Sequence, residues 1–531
     1  MSRSQPDVPL ARLGAIARRA VPARDWATVK NCAREILRQD NSNAEGWFLS
    51  GLYEKAAGHS NPARSAFGKA LRFDSTRYDA AVELADLCLQ ALRHREALDL
   101  LLAHESRLKN SPLYLDRAAR IYSRLGLHAR AWPLYSKACE LQPDADILKA
   151  NLAANCVLVG KIDRARELYR ELLQRHPGHQ RNHYELSRLE RVSDRTHLDQ
   201  MLEVLQASQL PPARNVFLYY AIAKEFEDLG LLDEAFDYYK KGGDAASGLA
   251  YAAGYDVSSD VAVIDCIIDV CNADWLTDGK ANERVIQDAK TPIFIVGLPR
   301  TGTTLTERII ASHSQVESAD ESFFLPMTIN RAGGLSGSDP VPESIRAAAG
   351  SDLQDLAGRY LEAIDYRLGD RPMFIDKYPF NFLHLGFIAK AFPDARIVHL
   401  RRNPMDACFA MYKQSFFKFA YTLDDLGEYY VAYDRLHRHW KSVLGDRVIE
   451  VQYETLVGDF ENQTRRLLDR LGLGFEPACL EFHKNETPSA TASAAQIREK
   501  AHTRSVHKWK KLAGRLKPLQ DHLERAGIQT G

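Results

Sequence analysis

The chain has 531 residues, 45% of them hydrophobic and 26% charged, enough for about two to four domains with a core in each. Lysine plus arginine and aspartate plus glutamate both number 70, which excludes a general binder of nucleic acid or anionic membrane and makes any anion site local. Eight cysteines without a C-x-x-C pair exclude a disulfide scaffold or zinc ribbon and predict a reducing, cytoplasmic setting, while the lack of any 18-residue apolar run predicts a soluble protein that makes no use of a membrane.

The first half repeats. Ala63, Ala97, Ala131 and Ala165 lie 34 residues apart, each followed four residues later by a large apolar residue: Phe67, Leu101, Tyr135 and Tyr169. Gly58, Gly126 and Gly160 stand five residues before their alanines, and Pro143 and Pro177 close two of the units. This is the tetratricopeptide spacing, in which two helices joined by a small-residue turn stack on identical neighbours. Residues 24–40 read as the second helix of a degenerate first unit. The phase slips by two residues before Gly230, Ala235 and Tyr239 restore the pattern.

Between about 245 and 290 the periodicity fades through a glycine- and alanine-rich stretch. The expected division is therefore an all-α tetratricopeptide solenoid over residues 1–245, a linker or transitional segment over 246–288, and an α/β domain with a parallel sheet over 289–531. Strand-like runs at 293–297, 373–376, 395–400 and 447–453 alternate with helices beginning at 305, 380, 405 and 460, as in a parallel sheet wrapped by helices. The repeats and the α/β half are each expected to own a core, so that removal of residues 1 to about 285 leaves a soluble domain.

The chemistry starts in the segment TPIFIVGLPRTGTT, residues 291–304, where an apolar strand feeds a loop and a helix. Gly297 and Gly302 keep the spacing of a phosphate-binding G-x-x-x-x-G-K-[ST] loop and Thr304 keeps its hydroxyl, but Thr303 replaces the lysine and Arg300 sits inside the loop. Such a loop grips one anionic group with amides, hydroxyls and a guanidinium, and has lost the cation that reaches a γ-phosphate. That argues against an ordinary ATPase.

Together with several further motifs, this loop resembles that of sulfotransferases that use 3′-phosphoadenosine 5′-phosphosulfate (PAPS), whose phosphosulfate loop reads P-R-[ST]-G-T-T; here it is Pro299, Arg300, Thr301, Gly302, Thr303 and Thr304. The resemblance covers about residues 290–517 and implies a P-loop-like sulfotransferase domain. It assigns the 3′-phosphate to Arg402, at the end of ARIVHLRRNP, although the serine usual eight residues later is Ala410 here. It assigns the general base to Glu321, 21 residues after Arg300, an interval matching protein-tyrosine sulfotransferases; such a base needs its pKa raised by burial or by Asp320. Lys377, in the context Asp376-Lys377-x-Pro379, would stabilise the transferring group, Tyr453 would contact the nucleotide, and Ser493 would assist the lysine. The segment 496–517, with eight lysines and arginines against Glu499, matches a lid over the nucleotide, except that Lys500 replaces a usual proline.

The reaction implied is in-line transfer of a sulfuryl group from PAPS to an acceptor hydroxyl, on a protein tyrosine, a glycan or a small phenol. Glu321 is the base, Arg300, Lys377 and Ser493 stabilise charge, and no metal is needed. The repeats are expected to bind the acceptor, a protein or peptide partner, or a second subunit in a homodimer. Two other readings stay open at this level: a divergent P-loop kinase requiring Mg²⁺, and a non-catalytic repeat scaffold.

Overall fold

A computed structural model describes residues 8–108, 110–278, 290–335, 337–485 and 499–531. The chain forms two compact units, Met1–Asn155 and Cys156–Gly531.

The first unit is built of helical hairpins: Leu10–Ala20 with Trp26–Gln39, Ala44–Ala56 with Ser60–Phe73, Tyr78–Gln90 with His94–His104, and Pro112–Arg124 with His128–Leu141. Ala63, Ala97 and Ala131 are fully buried and Phe67, Leu101 and Tyr135 nearly so, each pair one helical turn apart on one face of its second helix. Each hairpin turns through a left-handed residue, and the position recurs every 34 residues: Arg24 (φ 56°), Gly58 (φ 80°), Leu92 (φ 60°) and Gly126 (φ 80°). The conformation persists where glycine is replaced by Arg24 and Leu92, at a steric cost of about 1–2 kcal/mol each. Packing of the flanking helices dictates the turn, so the repeat extends to the degenerate first unit, where the glycine signal is missing.

The second unit continues the hairpins. Ala165 and Tyr169 lie on helix Ile162–Arg175, and the slipped repeat is Val216–Asp228 followed by Leu232–Ala252, joined through Gly230 at φ 79°. The expected linker of 246–288 contains the end of that helix, then Val257–Val270 and Ala273–Thr277; residues 279–289, which include the expected boundary at 288, lie outside those described.

Downstream stands a five-stranded, all-parallel sheet of β1 (Thr291–Gly297), β2 (Val316–Ser318), β3 (Met373–Asp376), β4 (Arg396–Arg401) and β5 (Val448–Gln452), in the order β2-β3-β1-β4-β5. β2, only three residues long, has no sequence-level counterpart: "VES" carries too little alternation to read as a strand. Both faces of the sheet are covered, as parallel strands require. Ile293 and Ile295 pack with Ile309, Ile310, Val398 and Leu468 on one side. Phe294 and Val296 belong to the core on the other.

That second core overturns the expectation of separate cores. It holds Tyr184, Leu218, Phe226, Phe236 and Ile267 from the upstream helices together with Phe294, Phe382, Tyr430 and Trp440 from the α/β part. Polar contacts follow the same seam: the Tyr184 and Ser415 hydroxyls lie 3.0 Å apart, and Lys413 donates to Glu227 at 3.0 Å. Removing residues 1–285 strips one wall from this core and exposes apolar surface that no other part of the unit covers. That fragment is expected to aggregate on expression, whereas one starting at residue 146 stays soluble and monodisperse by size-exclusion chromatography. Equal behaviour of the two fragments would show that the shared core is dispensable.

Candidate functional site

Because all five strands are parallel, their carboxyl ends share one edge of the sheet, the edge where ligands bind in this architecture. Each strand delivers one sequence-predicted residue or loop there. β1 leads into Arg300–Thr304, β2 into Glu321, β3 into Lys377, β4 into Arg402 and β5 into Tyr453. The chain leaves β1 towards β2 on one side and returns to β4 on the other, so the crevice between β1 and β4 is the topological switch point.

At that point Gly302, at φ 102°, precedes helix Thr303–Ala311. A Cβ there would lie 2.6 Å from the Tyr453 ring, so only glycine lets the loop and the tyrosine meet. Thr303 and Thr304 are buried in the first turn, where backbone N–H groups have no intrahelical partner, an arrangement that suits an anion. Thr301 donates its hydroxyl to the Leu298 carbonyl at 2.7 Å, closing the loop on itself. Arg300 adopts φ 68°.

Arg402 lies across this loop. It donates to the Arg300 carbonyl at 2.9 Å and the Ser505 carbonyl at 2.7 Å, and its guanidinium sits 4.9 Å over the Tyr453 ring. The Tyr453 and Ser505 hydroxyls are 2.8 Å apart. The described part of the expected lid is thus tied to the loop through Arg402 and Tyr453. Asp406 anchors it further, accepting from the His507 N–H at 2.6 Å and the Trp509 N–H at 3.1 Å. Ala410 lies further along the same helix, Pro404–Tyr412. Ser493 lies outside the described residues.

On the other side of β1 the structure brings Lys377 and Glu321 into direct contact. Lys377, fully buried, donates to Glu321, whose side chain is 28% exposed. A second carboxylate, Glu307 of helix Thr303–Ala311, stands 3.6 Å from the same ammonium. Burial alone would lower the Lys377 pKa, yet Glu321 and Glu307 hold it above the usual lysine value. Burial raises the Glu307 pKa from its usual value despite Lys377 and the Ser318 hydroxyl, which donates at 2.6 Å. Glu307 escaped the sequence reading because TTLTERII offers it only as a helical residue; no motif spacing marks it.

The loop that carries Glu321 is pinned from beneath. Arg367 donates to the Ala319 carbonyl at 2.9 Å and the Glu321 carbonyl at 3.1 Å. Asp376, fully buried, accepts from the Ser322 hydroxyl at 3.0 Å and the Tyr360 hydroxyl at 2.8 Å, and burial raises its pKa to about 6. The Asp376-Lys377 pair therefore divides its work: the lysine faces the carboxylates and the aspartate fixes the backbone beside Glu321. No group of side chains suited to a metal ion occurs among the described residues.

Residues 292–477 match the sulfotransferase family. An uncharacterized protein of Aquifex aeolicus is 28% identical over 378 residues, 69% of this chain and 48% of that protein. Protein-tyrosine sulfotransferase A of Caenorhabditis elegans is 24% identical over 199 residues, 36% of this chain and 52% of that protein. This chain thus spans about half the length of these two relatives. Among solved structures, the sulfotransferase domain of the Synechococcus PCC 7002 olefin synthase is 21% identical and covers 46% of this chain and 98% of its own, with a TM-score of 0.34. No helix among the described residues is long and apolar enough to cross a membrane. The family match lies on the very strands whose ends assemble the site, so residues 292–477 carry the likeness to sulfotransferases, downstream of tetratricopeptide-like helical hairpins.

Proposed function

We propose that this protein is a PAPS-dependent sulfotransferase that moves a sulfuryl group to an acceptor hydroxyl. The observation that supports this best is the side-by-side assembly, along one sheet edge, of a lysine-free anion loop braced by Arg402 and a buried Lys377–Glu321 pair. The loop amides, Thr303, Thr304 and Arg300 fit a phosphosulfate, and Arg402 fits the 3′-phosphate. Gly302, where any Cβ would run into the Tyr453 ring, lets the loop and the nucleotide side meet.

In the reaction Glu321 takes the acceptor proton as the acceptor oxygen bonds to sulfur. The bond from sulfur to the bridging oxygen breaks, and the electron pair leaves with 3′,5′-adenosine bisphosphate. Lys377 stabilises the oxygen that gains charge, and Arg300 and Ser493 share that role. Before substrates bind, the Lys377 contact holds Glu321 in place. The acceptor is a protein tyrosine, a glycan or a small phenol, and a phenol of pKa about 10 is easier to activate than an alcohol. The repeats bind the acceptor, a protein partner or a second subunit. Eight scattered cysteines without a C-x-x-C pair support a cytoplasmic location.

Calorimetry with two ligands tests the nucleotide assignment. Arg402→Ala is expected to weaken 3′,5′-adenosine bisphosphate by about 10- to 100-fold, the worth of a charged hydrogen bond of roughly 1.5–3 kcal/mol, and to leave adenosine 5′-phosphosulfate nearly unchanged. Ala410→Ser is expected to tighten the bisphosphate alone, and modestly, because the new hydroxyl must displace water. Equal effects on both ligands would show that neither position reads the 3′-phosphate.

A further inference from the structure

Helix Val216–Asp228 of the slipped repeat carries Glu227 in its last turn, with a side chain only 10% exposed. Its sequence context, KEFEDLG, does not set it apart from the neighbouring acids. The fold gives this carboxylate three donors from three segments. Tyr239, on the second helix of the same hairpin, donates its hydroxyl to Oε2 at 2.9 Å. Lys413, the residue after helix Pro404–Tyr412, donates to Oε1 at 3.0 Å and to Oε2 at 3.2 Å. Lys508, from the basic C-terminal segment, reaches Oε1 at 2.5 Å. Burial alone would raise the Glu227 pKa, but the two ammonium groups hold it at about 2, so the carboxylate is charged at neutral pH.

The two segments that carry the lysines also meet at Arg402. Helix Pro404–Tyr412 starts two residues after it, and the Ser505 carbonyl, three residues before Lys508, accepts from its Nη2 at 2.7 Å. Asp406 of that helix receives the His507 and Trp509 N–H groups on either side of Lys508. The contacts form a closed ring: from Arg402 to Ser505, along the chain to Lys508, through Glu227 to Lys413, and back along the helix to Arg402. The Ser505 and Arg300 carbonyls fix the plane of the Arg402 guanidinium, whose Nε is buried without a hydrogen-bond partner among the described residues and whose two Nη atoms each keep a further N–H. Which way those donors face is set by the two carbonyls. The same hairpin also grips the segment further along, where Arg515 pairs with Asp237 and lies 4.8 Å over the Phe236 ring, itself stacked on Tyr412 at 5.8 Å. Without the charge at 227, the two lysines that share Oε1 face each other with no counter-ion between them. Like charges at that range repel, and the partner free to yield is the half-exposed Lys508, with Ser505 behind it.

We propose that Glu227, from the helical repeats, is a positioning residue for the nucleotide site: by bridging Lys413 and Lys508 it keeps Ser505 seated on Arg402, and so sets the grip on the 3′-phosphate. This rests on the PAPS reading above and deepens it, since the repeats then act on donor binding as well as on an acceptor or partner. Glu227 works through Lys508 and Ser505, so its loss carries the ligand signature of Arg402: the bisphosphate is affected and a nucleotide without the 3′-phosphate is not. Glutamine at 227 keeps the shape and one acceptor oxygen without the charge.

The test titrates the full chain, Glu227→Gln, Lys508→Met and the double variant with 3′,5′-adenosine bisphosphate and with adenosine 5′-phosphosulfate. Each single variant is expected to weaken the bisphosphate, Glu227→Gln by about 5- to 20-fold and Lys508→Met by about 3- to 10-fold, and to leave adenosine 5′-phosphosulfate within about 2-fold of the parent. The double variant is expected to lose no more than Glu227→Gln alone, because both substitutions break the same bridge. The Lys508 side chain is 41% exposed, so Lys508→Met decides the matter even where Glu227→Gln folds poorly. Parent-like bisphosphate affinity in Lys508→Met overturns the inference and leaves the PAPS reading standing. So do losses that multiply in the double variant, or an equal loss for both ligands that follows the melting temperature, which marks a merely structural role. If the unsubstituted chain binds neither nucleotide, the donor reading itself fails, and this inference with it.

Discussion

Glu321→Gln is expected to lower turnover by roughly 10²- to 10⁴-fold while leaving 3′,5′-adenosine bisphosphate affinity within about 2-fold of the parent. The glutamine oxygen still accepts a hydrogen bond from Lys377, so the local geometry survives; what disappears is the capacity to take a proton. Nucleotide binding is spared because Glu321 follows β2, whereas Arg402 follows β4, and β3 and β1 stand between them. Three strand spacings put these two strands about 14 Å apart. Turnover within a few-fold of the parent would remove Glu321 from the mechanism, and Glu307 would become the next carboxylate to test, since it lies 3.6 Å from the same lysine.

Lys377→Met is expected to damage both activity and stability. The ammonium is fully buried between Glu321 and Glu307, and Glu307 is itself buried, so removal of the cation leaves an enclosed carboxylate without its counter-charge. Breaking a buried pair in this way costs about 3–5 kcal/mol, measured as a loss of unfolding free energy in urea. Turnover should fall by roughly 10²-fold or more, since the proposed mechanism relies on Lys377 as the cationic partner of the leaving oxygen.

The stability loss in this variant should also acquire a pH dependence of predictable sign. Burial already raises Glu307, and without Lys377 it rises further. A carboxyl whose folded pKa lies above its unfolded value binds more protons in the folded state between the two, so stability falls as pH rises through that window. Lys377→Met should therefore be closer to the parent at pH 5 than at pH 8. A deficit that does not change with pH would mean that Glu307 reaches solvent once the lysine is gone.

Much of this architecture is local, and local features are legible in a sequence. The 34-residue spacing from Ala63 to Ala165 reports one face of successive helices, because a small residue must recur wherever two helices approach closely. β3 appears over the very residues expected, Met373–Asp376, and β1, β4 and β5 within a residue or two of their expected ends, because fully buried parallel strands are continuous apolar runs. Those strand ends carry Arg300, Lys377, Arg402 and Tyr453, so the candidate site could be read off before any coordinates existed. The left-handed turns at Arg24 and Leu92 could not be, since their side chains give no sign of a conformation imposed by neighbouring helices.

Contacts between segments distant in the chain leave no such mark. Glu307 reads as an ordinary helical glutamate until Lys377 arrives from 70 residues away, and Tyr184 as an ordinary helical tyrosine until the core it shares with Phe294 and Trp440 covers it. The expectation of two separate cores failed for the same reason: amphipathic helices of the repeats show an apolar face, but not which surface will cover it. From its sequence alone this chain determined its repeats, its parallel strands and the residue types at their ends. Only the tertiary structure decided that the later repeats and the sheet bury their apolar faces together, because that choice depends on the complementarity of surfaces and not on the composition of either one.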